Sequence, residues 1–319
     1  MEWGSSMKRV LVLSYTQSGQ SSQAVESLIS TLDRSAFEIT SERIRSRVVF
    51  PFPWKVGRFF SVFPECVLGL PPDVEPPAFD PDRQFDLIIL AWQVWFLAPS
   101  LPVQGFLKSE HARVFSGARV ITLTVCRNMW HTASETMKNL VAGAGGTLID
   151  NIVITDQGAP WAGFITTPRW MFTGRRDRFL GFFPPAGVAG EVIRSLSRFG
   201  MAINERRHLL DEQPPRPMLR GLGAVQVERR YVIPELIGRF TFPFWARLIR
   251  AAGPPGGALR AILTAGFVVY LVLAILLLIP ASVVAGLLLY PLIRNPLRGY
   301  IDRLKAPSGI DGVEAEAVA

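Results

Sequence analysis

Six residues near the N-terminus, TQSGQS at 16–21, have the composition of an anion-binding loop. They follow the apolar run KRVLVLSY and precede a segment with helical spacing, so they lie where a strand ends and a helix begins. A helix N-terminus presents free backbone N–H groups and the positive end of its dipole. Thr16, Ser18 and Ser21 add hydroxyl donors, and Gly19 allows close approach of the backbone. We therefore predict a phosphate site here; a serine-rich helix cap is the alternative.

The loop after the third predicted strand, WQVWFLAPSLPVQGFLK at 92–108, is rich in aromatic residues. Aromatic faces stack on flat heterocycles, and amide and backbone N–H groups bond to their edges. Gln93, Trp95, Phe96 and Leu97 are our candidates for such contacts. The alternative is a hydrophobic loop that packs on the core.

The loop CRNMWHT at 126–132 follows the fourth predicted strand and mixes polar and aromatic residues. We expect Asn128 to bond to the polar edge of a bound ring, Trp130 to form a wall beside it, and Arg127 to stabilise negative charge on it. For Arg127 a salt bridge is the alternative. Cys126 fits a small buried residue better than a nucleophile.

Three ionisable residues near these loops are candidates for catalysis: His131, Asp156 and Arg127. Either His131 or Asp156 is expected to take a proton, and imidazole does so near neutral pH. A histidine that starts a helix and faces solvent is the alternative for His131. The sequence has no His, Cys and carboxylate cluster with metal-site spacing, so we predict no metal.

Two common nucleotide-binding patterns are absent from the sequence. GxxxxGK[ST] does not occur, and GxGxxG does not follow the first predicted strand. Their absence argues against a nucleoside triphosphatase and against a dehydrogenase of the GxGxxG type.

Alternating strand and helix patterns position the three loops. The predicted strands are 8–15, 37–44, 85–92, 118–125 and 147–156, and the predicted helices include 21–32, 132–145 and 188–203. Such alternation predicts an α/β fold, with helices on both faces of a parallel sheet. Five strands in this sequence fit a doubly wound parallel sheet of order 2-1-3-4-5, in which ligands bind beyond the carboxyl ends of the strands.

The chain divides by composition into a domain and a C-terminal apolar part. The predicted units are an α/β domain at 7–210 with insertions at 46–84 and 157–187, a basic connector at 211–260, a membrane-attached helical hairpin at 261–294 and a tail at 295–319. Both insertions are rich in Pro and aromatic residues, so we expect them to line a pocket or to lie on a membrane surface.

The apolar part is unusual because residues 262–293 contain no charged side chain. A bilayer core needs roughly 20 apolar residues in one helix. We predict two helical arms broken at Pro280, with basic residues on both flanks holding both ends at the cytoplasmic side. A single tilted span and a buried helix pair are the alternatives.

Charge and cysteine content set the compartment and the partners. The net charge is +8, and residues 167–250 hold fifteen Arg and no Lys, which favours anionic lipid as the partner and the inner leaflet of the cell membrane as the location. Nucleic acid is the competing partner, but no nucleic-acid motif occurs, so we predict none. Two cysteines and no signal-peptide pattern favour the cytoplasm.

The quoted loops and several longer strings resemble a known group, the flavodoxin-like dialkylresorcinol condensing enzymes. The loop at 16–21 has the pattern [ST]-x-[ST]-G-x-[ST] with which flavodoxins hold the phosphate of FMN. The resemblance covers roughly residues 7–185 and rests on SYTQSGQ, FPFPW, VFPE, FDLIILAWQVWFLAPSLPV, CRNMWHTASE, GAGGTLIDNIVITDQG and TTPRWMFTG.

The resemblance implies a flavodoxin-like fold and FMN as the cofactor. The implied contacts are Thr16, Gln17, Ser18, Gly19, Gln20, Ser21, Gln93, Trp95, Phe96, Leu97, Cys126, Arg127, Asn128, Met129 and Trp130. In this setting the negative charge that Arg127 is expected to stabilise is that of a reduced flavin.

The same resemblance implies a place in dialkylresorcinol or aryl polyene pathways. A thiolase-type condensing enzyme needs a cysteine nucleophile with histidine partners, and the sequence does not supply them. We therefore expect a membrane-attached FMN oxidoreductase that acts on a lipid-like cyclic dione or quinol, with aromatisation of the dione as the expected reaction. A ketosynthase is the expected partner enzyme, and a homodimer is expected by analogy. An NAD(P)H:quinone reductase and a non-catalytic membrane scaffold for pathway enzymes are the alternatives.

Overall fold

The computed structural model describes residues 7–308 and contains a five-stranded parallel sheet. The sheet strands are β1 (Lys8–Ser14), β2 (Phe37–Arg43), β3 (Leu87–Trp92), β6 (Arg119–Cys126) and β7 (Thr147–Thr155). Their order is β2-β1-β3-β6-β7, which confirms the predicted order 2-1-3-4-5. A small antiparallel pair, β4 (Val94–Trp95) and β5 (Ala98–Pro99), follows β3.

Helices cover both faces of the sheet, because its central strands are apolar on both sides. Val10 and Val12 of β1 face α1 (Gln20–Ile29), α7 (Gly190–Arg194) and α8 (Ser197–Glu205). Leu11 and Leu13 face α4 (Leu101–Lys108) and α5 (His131–Gly143). This arrangement confirms the doubly wound α/β fold.

The two insertions fold as helical segments that meet each other. The first contains α2 (Val56–Ser61) and α3 (Phe63–Val67), and the second contains α6 (Pro160–Thr173). The backbone N–H of Trp54 donates to the carbonyl of Met171 at 2.8 Å, and the rings of Phe52 and Trp170 are 5.8 Å apart. The insertions therefore close together over the carboxyl end of the sheet.

The C-terminal part differs from the hairpin predicted around Pro280. Helix α10 (Ala258–Leu273), a π-helical segment (Ala274–Leu278) and α11 (Ile279–Leu288) form one continuous helix, here called the long apolar helix. The chain turns at Leu289 and continues as α12 (Tyr290–Lys305). Pro280 has no N–H to donate to the preceding turn, and the helix widens into the π segment at this point instead of breaking.

The long apolar helix packs antiparallel against α9 (Val232–Ala251), which lies in the segment predicted as a connector. Near one end of this pair the rings of Trp245 and Phe267 are 5.9 Å apart. Near the other end a Cβ added to Gly286 would lie 2.9 Å from Ile233 Cδ1. The hairpin of the structure is thus α9 with the long apolar helix, joined by the turn at 252–257.

This hairpin is attached to the α/β domain at several points. Phe63 of α3 stacks on Phe267 with ring centroids 3.8 Å apart. The Arg260 guanidinium donates to both carboxylate oxygens of Glu65 at 2.8 Å. Helix α12 buries Ile301 and Leu304, so part of the predicted tail is ordered helix, and residues 309–319 lie outside the described residues.

Within residues 7–308, one helix, Ala258–Gly286, is long and apolar enough to cross a membrane by length and composition. Only 6% of its most apolar stretch is buried in the protein, so most of this surface is exposed. Leu276 and Leu277 are each 63% exposed, and Phe240 of α9 is 75% exposed. A large exposed apolar surface of this kind marks a site of contact with a membrane or with another protein.

Candidate functional site

The carboxyl ends of β1, β3 and β6 lie at one edge of the sheet, so the three predicted loops meet there around a single cavity of about 240 Å³. The predicted residues that line it are Gln17, Ser18, Gln20, Ser21, Gln93, Trp95, Phe96, Cys126, Arg127, Asn128 and Asp156. The insertions complete its walls with Phe52, Trp54, Phe59, Thr167, Trp170, Met171 and Gly187, and Val188 follows directly after the second insertion. The predicted residues absent from the lining are Thr16, Gly19, Leu97, Met129, Trp130 and His131.

The loop at 16–21 has the backbone of a helix N-terminus open to a ligand. Gly19 has φ +87° and precedes the first residue of α1, and a Cβ added to it would meet nothing within 4 Å. The Ser21 hydroxyl is buried and has no hydrogen-bond partner in the described structure. A buried polar atom without a hydrogen-bond partner is destabilising. The unpaired Ser21 hydroxyl therefore indicates that a ligand supplies its acceptor.

Thr16 has a different role from the predicted one. Its hydroxyl oxygen accepts from the backbone N–H of Gly19 at 3.0 Å, and its side chain is buried. Threonine hydroxyls commonly close such local turns. Thr16 therefore shapes the loop instead of facing the cavity.

The two glutamines of the loop hold the insertions in place. The Gln17 amide donates to the carbonyl of Phe50 at 3.2 Å and accepts from the Trp54 indole N–H at 3.2 Å. The Gln20 amide donates to the carbonyl of Val188 at 2.8 Å and accepts from its N–H at 3.2 Å. Both side chains line the cavity, and their hydrogen bonds position its walls.

Two arginines that were not among the predicted site residues lie next to this loop. Arg43, at the end of β2, donates to the carbonyl of Thr16 at 2.8 Å. Arg176 donates to the carbonyls of Ala186 and Val188 at 2.7 and 2.6 Å. Arg43 could have been predicted from the sequence, because it lies near the carboxyl end of the predicted strand 37–44, where ligands bind in such sheets. The positive charge of the two arginines favours an anion in a loop that itself contains no cation.

The β4–β5 connection is a two-residue hairpin with unusual backbone. Its turn residues, Phe96 and Leu97, have φ values of 49° and 60°, a region that usually requires glycine or asparagine. Phe96 lines the cavity, whereas Leu97 points to the other side, toward Gly238 of α9. The neighbouring Trp95 is buried against Trp54, with ring centroids 5.5 Å apart.

The loop after β6 also has some residues that line the cavity and others that turn away from it. Cys126, Arg127 and Asn128 line the cavity. Met129 has φ 55° and turns away from it, and Trp130 is buried instead of forming a cavity wall. Burial raises the pKa of the Cys126 thiol well above its usual range, so this residue is not a thiolate nucleophile at neutral pH.

Arg127 lies with its guanidinium 4.4 Å from the ring centroid of Phe164 on α6. Burial lowers its pKa, and the nearby Asp156 carboxylate opposes that effect. Asp156 lines the cavity, and its Oδ1 accepts from the backbone N–H of Gly158 at 2.8 Å. The cavity therefore contains a cation and a carboxylate close enough to interact.

His131 is neither exposed to solvent nor part of the cavity. It is 2% exposed, and its Nδ1 lies 3.0 Å from Glu235 Oε2 of α9. Glu235 also accepts from the backbone N–H of Thr132 at the start of α5. The partner is 104 positions away along the chain, which is why the sequence pattern did not identify it.

The described residues contain no group of three His, Cys, Asp or Glu side chains able to hold a metal ion. The unpartnered polar atoms that line the cavity are the Ser21 hydroxyl and Gln93 Oε1. Both atoms belong to loops that the sequence predicts to bind an organic ligand.

Comparisons with known proteins found similar solved structures at low identity. The FMN complex of a flavoprotein from Lactobacillus acidophilus NCFM is 16% identical, with 46% of this chain and 93% of that chain covered and a TM-score of 0.36. A flavodoxin from the domain Archaea is 10% identical, with 64% and 99% covered and a TM-score of 0.35. A WrbA-like flavodoxin from Agrobacterium tumefaciens is 11% identical, with 63% and 99% covered and a TM-score of 0.32. No family model and no curated protein matches the sequence.

Proposed function

We propose that the protein is a membrane-attached FMN-dependent oxidoreductase that acts on a lipid-like cyclic dione or quinol. The observation that carries the proposal is the meeting of three loops around one cavity, with an open helix N-terminus at Gly19 and an unpartnered buried hydroxyl at Ser21. These features suit a phosphate attached to a flat ring system.

The residues present fit FMN by their chemistry. Ser18, Ser21 and the first N–H groups of α1 would hold the phosphate with neutral donors, and Arg43 adds positive charge from behind the loop. The turn at 93–96 and the loop at 126–128 would hold the ring between them. Gln93 Oε1, which lacks a partner, would accept from an N–H at the edge of the ring.

FMN, when bound, supplies a two-electron acceptor that takes a hydride from the substrate. The protein must then take the proton that the substrate loses as a ring becomes aromatic. Asp156 is the carboxylate among the described residues that line the cavity, and His131 is outside it, so we assign proton removal to the Asp156 carboxylate. Arg127 would hold negative charge that develops in the cavity.

The membrane part of the proposal is supported by the exposed apolar surface of α9 and the long apolar helix. The basic residues on both flanks of the apolar run support a location at the cytoplasmic face of the cell membrane. The resemblance to dialkylresorcinol condensing enzymes supports aromatisation as the reaction. It also supports a ketosynthase as the enzyme that supplies the substrate, while a homodimer remains a prediction by analogy.

The proposal is tested first by the visible absorption spectrum of the detergent-purified protein. A flavin spectrum, with FMN identified by mass spectrometry after release, is the expected result. A protein that stays colourless after FMN is added contradicts the proposal and supports the non-catalytic scaffold. Rapid bleaching by NADPH in stopped flow would instead support the NAD(P)H:quinone reductase.

Ser21 provides the residue-level test of the phosphate site. Hydrogen bonds to charged groups contribute about 1.5–3 kcal/mol, so Ser21→Ala is expected to weaken FMN binding about 10- to 100-fold. The matched control is Ser22→Ala, since Ser22 is the next residue of α1 and does not line the cavity. Equal affinities of the two variants would place the phosphate elsewhere.

A further inference from the structure

A second concave site lies between the α/β domain and the helical hairpin, and we call it the apolar groove. Its volume is about 130 Å³, and it is lined by α9, the long apolar helix and three residues of the domain, Leu97, Met129 and Phe164. None of the described residues that line it is charged. An uncharged apolar site of this kind suits a hydrocarbon chain.

The apolar groove and the cavity are separated by a wall that consists of two loops and one side-chain contact. Phe96 lines the cavity while the next residue, Leu97, lines the groove. Asn128 lines the cavity while the next residue, Met129, lines the groove. The cavity and the apolar groove therefore lie on opposite sides of the same two loops.

The third part of the wall is a contact between side chains. The Arg127 guanidinium, which lines the cavity, lies 4.4 Å from the ring centroid of Phe164, which lines the groove. A molecule with a polar ring and an apolar chain would meet a cation and loop amides on one side of this wall and hydrocarbon on the other.

The backbone of the wall is held in an uncommon conformation. Leu97 and Met129, with φ values of 60° and 55°, are both bulky residues in the left-handed region. Such residues each cost free energy, and they persist where the surrounding structure over-determines them, as at ligand sites. This conformation turns Leu97 away from Phe96 and Met129 away from Asn128. In each loop, consecutive side chains therefore enter different sites.

The outer side of the groove is formed by the part of the long apolar helix that faces outward. Ala274, Ile275 and Leu278 of the π-helical segment line it. The intervening residues, Leu276 and Leu277, are 63% exposed on the outward-facing apolar surface. The groove thus adjoins both the bilayer side of the hairpin and the inner wall of the cavity.

We propose that the apolar groove receives the alkyl chain of a lipid-soluble substrate that enters sideways from the bilayer, and that the Arg127–Phe164 contact opens so that the ring reaches the cavity. This inference rests on the proposed function and adds to it the site of the chain and the route of entry. The occupant is the substrate's chain because the groove is uncharged, adjoins the cavity and opens toward the exposed apolar surface. Each methylene buried in such a groove strengthens binding about four-fold.

The test uses the full chain in detergent micelles and a 5-alkylresorcinol with a diazirine at mid-chain, whose alkyl chain of about fifteen carbons is long enough to cross one half of a bilayer core about 30 Å thick. Light-driven labelling is mapped by mass spectrometry, so its readout needs neither turnover nor bound FMN. Labelling of the segments around Met129 and Ile275 is expected. Ile275→Trp should reduce it 10-fold or more, since excluding two or three methylenes changes affinity by that amount.

The matched control is Leu277→Trp, which adds the same bulk on the exposed face of the same helix and should leave labelling of the groove unchanged. Leu278→Trp blocks the groove from a second position, so a folding defect of one variant does not decide the result. Equal labelling in all variants would overturn the inference. A diazirine phospholipid that labels the groove as strongly as the alkylresorcinol would also overturn it, because the groove would then be a site for structural lipid.

Failure of this inference can be told from failure of the proposed function. A yellow protein whose groove is not labelled retains the oxidoreductase assignment and loses the entry route. A colourless protein loses the oxidoreductase assignment, and the inference that rests on it falls too.

Discussion

Asp150, at the centre of β7, provides a prediction whose size follows from the structure. It is fully buried, and its carboxylate accepts from the backbone N–H groups of Met218 and Leu219 at 2.6 and 3.2 Å. Burial raises its pKa from 3.8 to about 6, despite these hydrogen bonds. The Asp150 side chain therefore holds residues 218–219, in the segment that leads to α9, by hydrogen bonds. The raised pKa means that burial disfavours the ionised form of Asp150 in the folded state.

The sign of the pH dependence follows from the raised pKa. The unfolded chain releases this proton near pH 4 and the folded protein near pH 6, so the folded state binds it more tightly. The contribution of Asp150 to stability is complete below about pH 4 and is lost as the pH rises through 6. A shift from 3.8 to about 6 corresponds to about 3 kcal/mol.

Asp150→Asn removes this titration and places an amide donor where Oδ1 accepts from Leu219, while the amide oxygen at the Oδ2 position can still accept from both N–H groups; the loss of one such bond costs about 0.5–1.5 kcal/mol. The variant should be less stable than the wild type at pH 4, and the difference should shift in its favour by about 2 kcal/mol between pH 4 and pH 7, since part of the full effect is already lost at pH 4. The assay is denaturant unfolding in detergent, followed by tryptophan fluorescence at several pH values. Comparing the two proteins cancels the other titrating groups. A difference that is constant with pH, or that grows as pH rises, would refute the reasoning.

Three further predictions concern the site and its attachment. Glu235→Ala removes the acceptor of the buried Thr132 N–H and the neighbour of His131, and should lower the free energy of unfolding in a denaturant titration by about 1–3 kcal/mol, while His131→Phe combined with Glu235→Leu should lose less than the sum of the single changes. Gly19→Ala should cost about 1–2 kcal/mol of unfolding free energy, because alanine is strained at φ +87°, and should weaken FMN binding about 10-fold in a titration, because relief of that strain moves the N–H groups at the start of α1. Asp156→Asn should retain the flavin spectrum but slow substrate-driven bleaching at least 100-fold in stopped flow; an unchanged rate would exclude the carboxylate as the base.

The sheet could be predicted from the sequence because parallel strands covered on both faces form continuous apolar runs. FDLIILAW and KRVLVLSY are such runs, and β3 and β1 lie within them. The order 2-1-3-4-5 followed because few topologies satisfy right-handed crossovers between parallel strands. The meeting of three loops at one edge was then a consequence of the topology.

The direction of individual side chains could not be predicted in the same way. Left-handed backbone at Leu97 and Met129 is not the usual conformation of these residue types, and it turns both of them out of the cavity. The break expected at Pro280 was wrong for a related reason, since neighbouring packing and a π segment accommodate a proline that would end an isolated helix.

The sequence by itself determined the local features of this protein: its strands, its phosphate-type loop, its aromatic loops and its uncharged helix. Each of these depends on residues within a few positions of one another, so periodicity and composition contain the information. Only the tertiary structure decided that Glu235 meets His131, that Arg43 supports Thr16 and that α9 lies along the long apolar helix. These contacts join residues far apart in the chain, and their geometry depends on how whole elements pack, which no local pattern specifies.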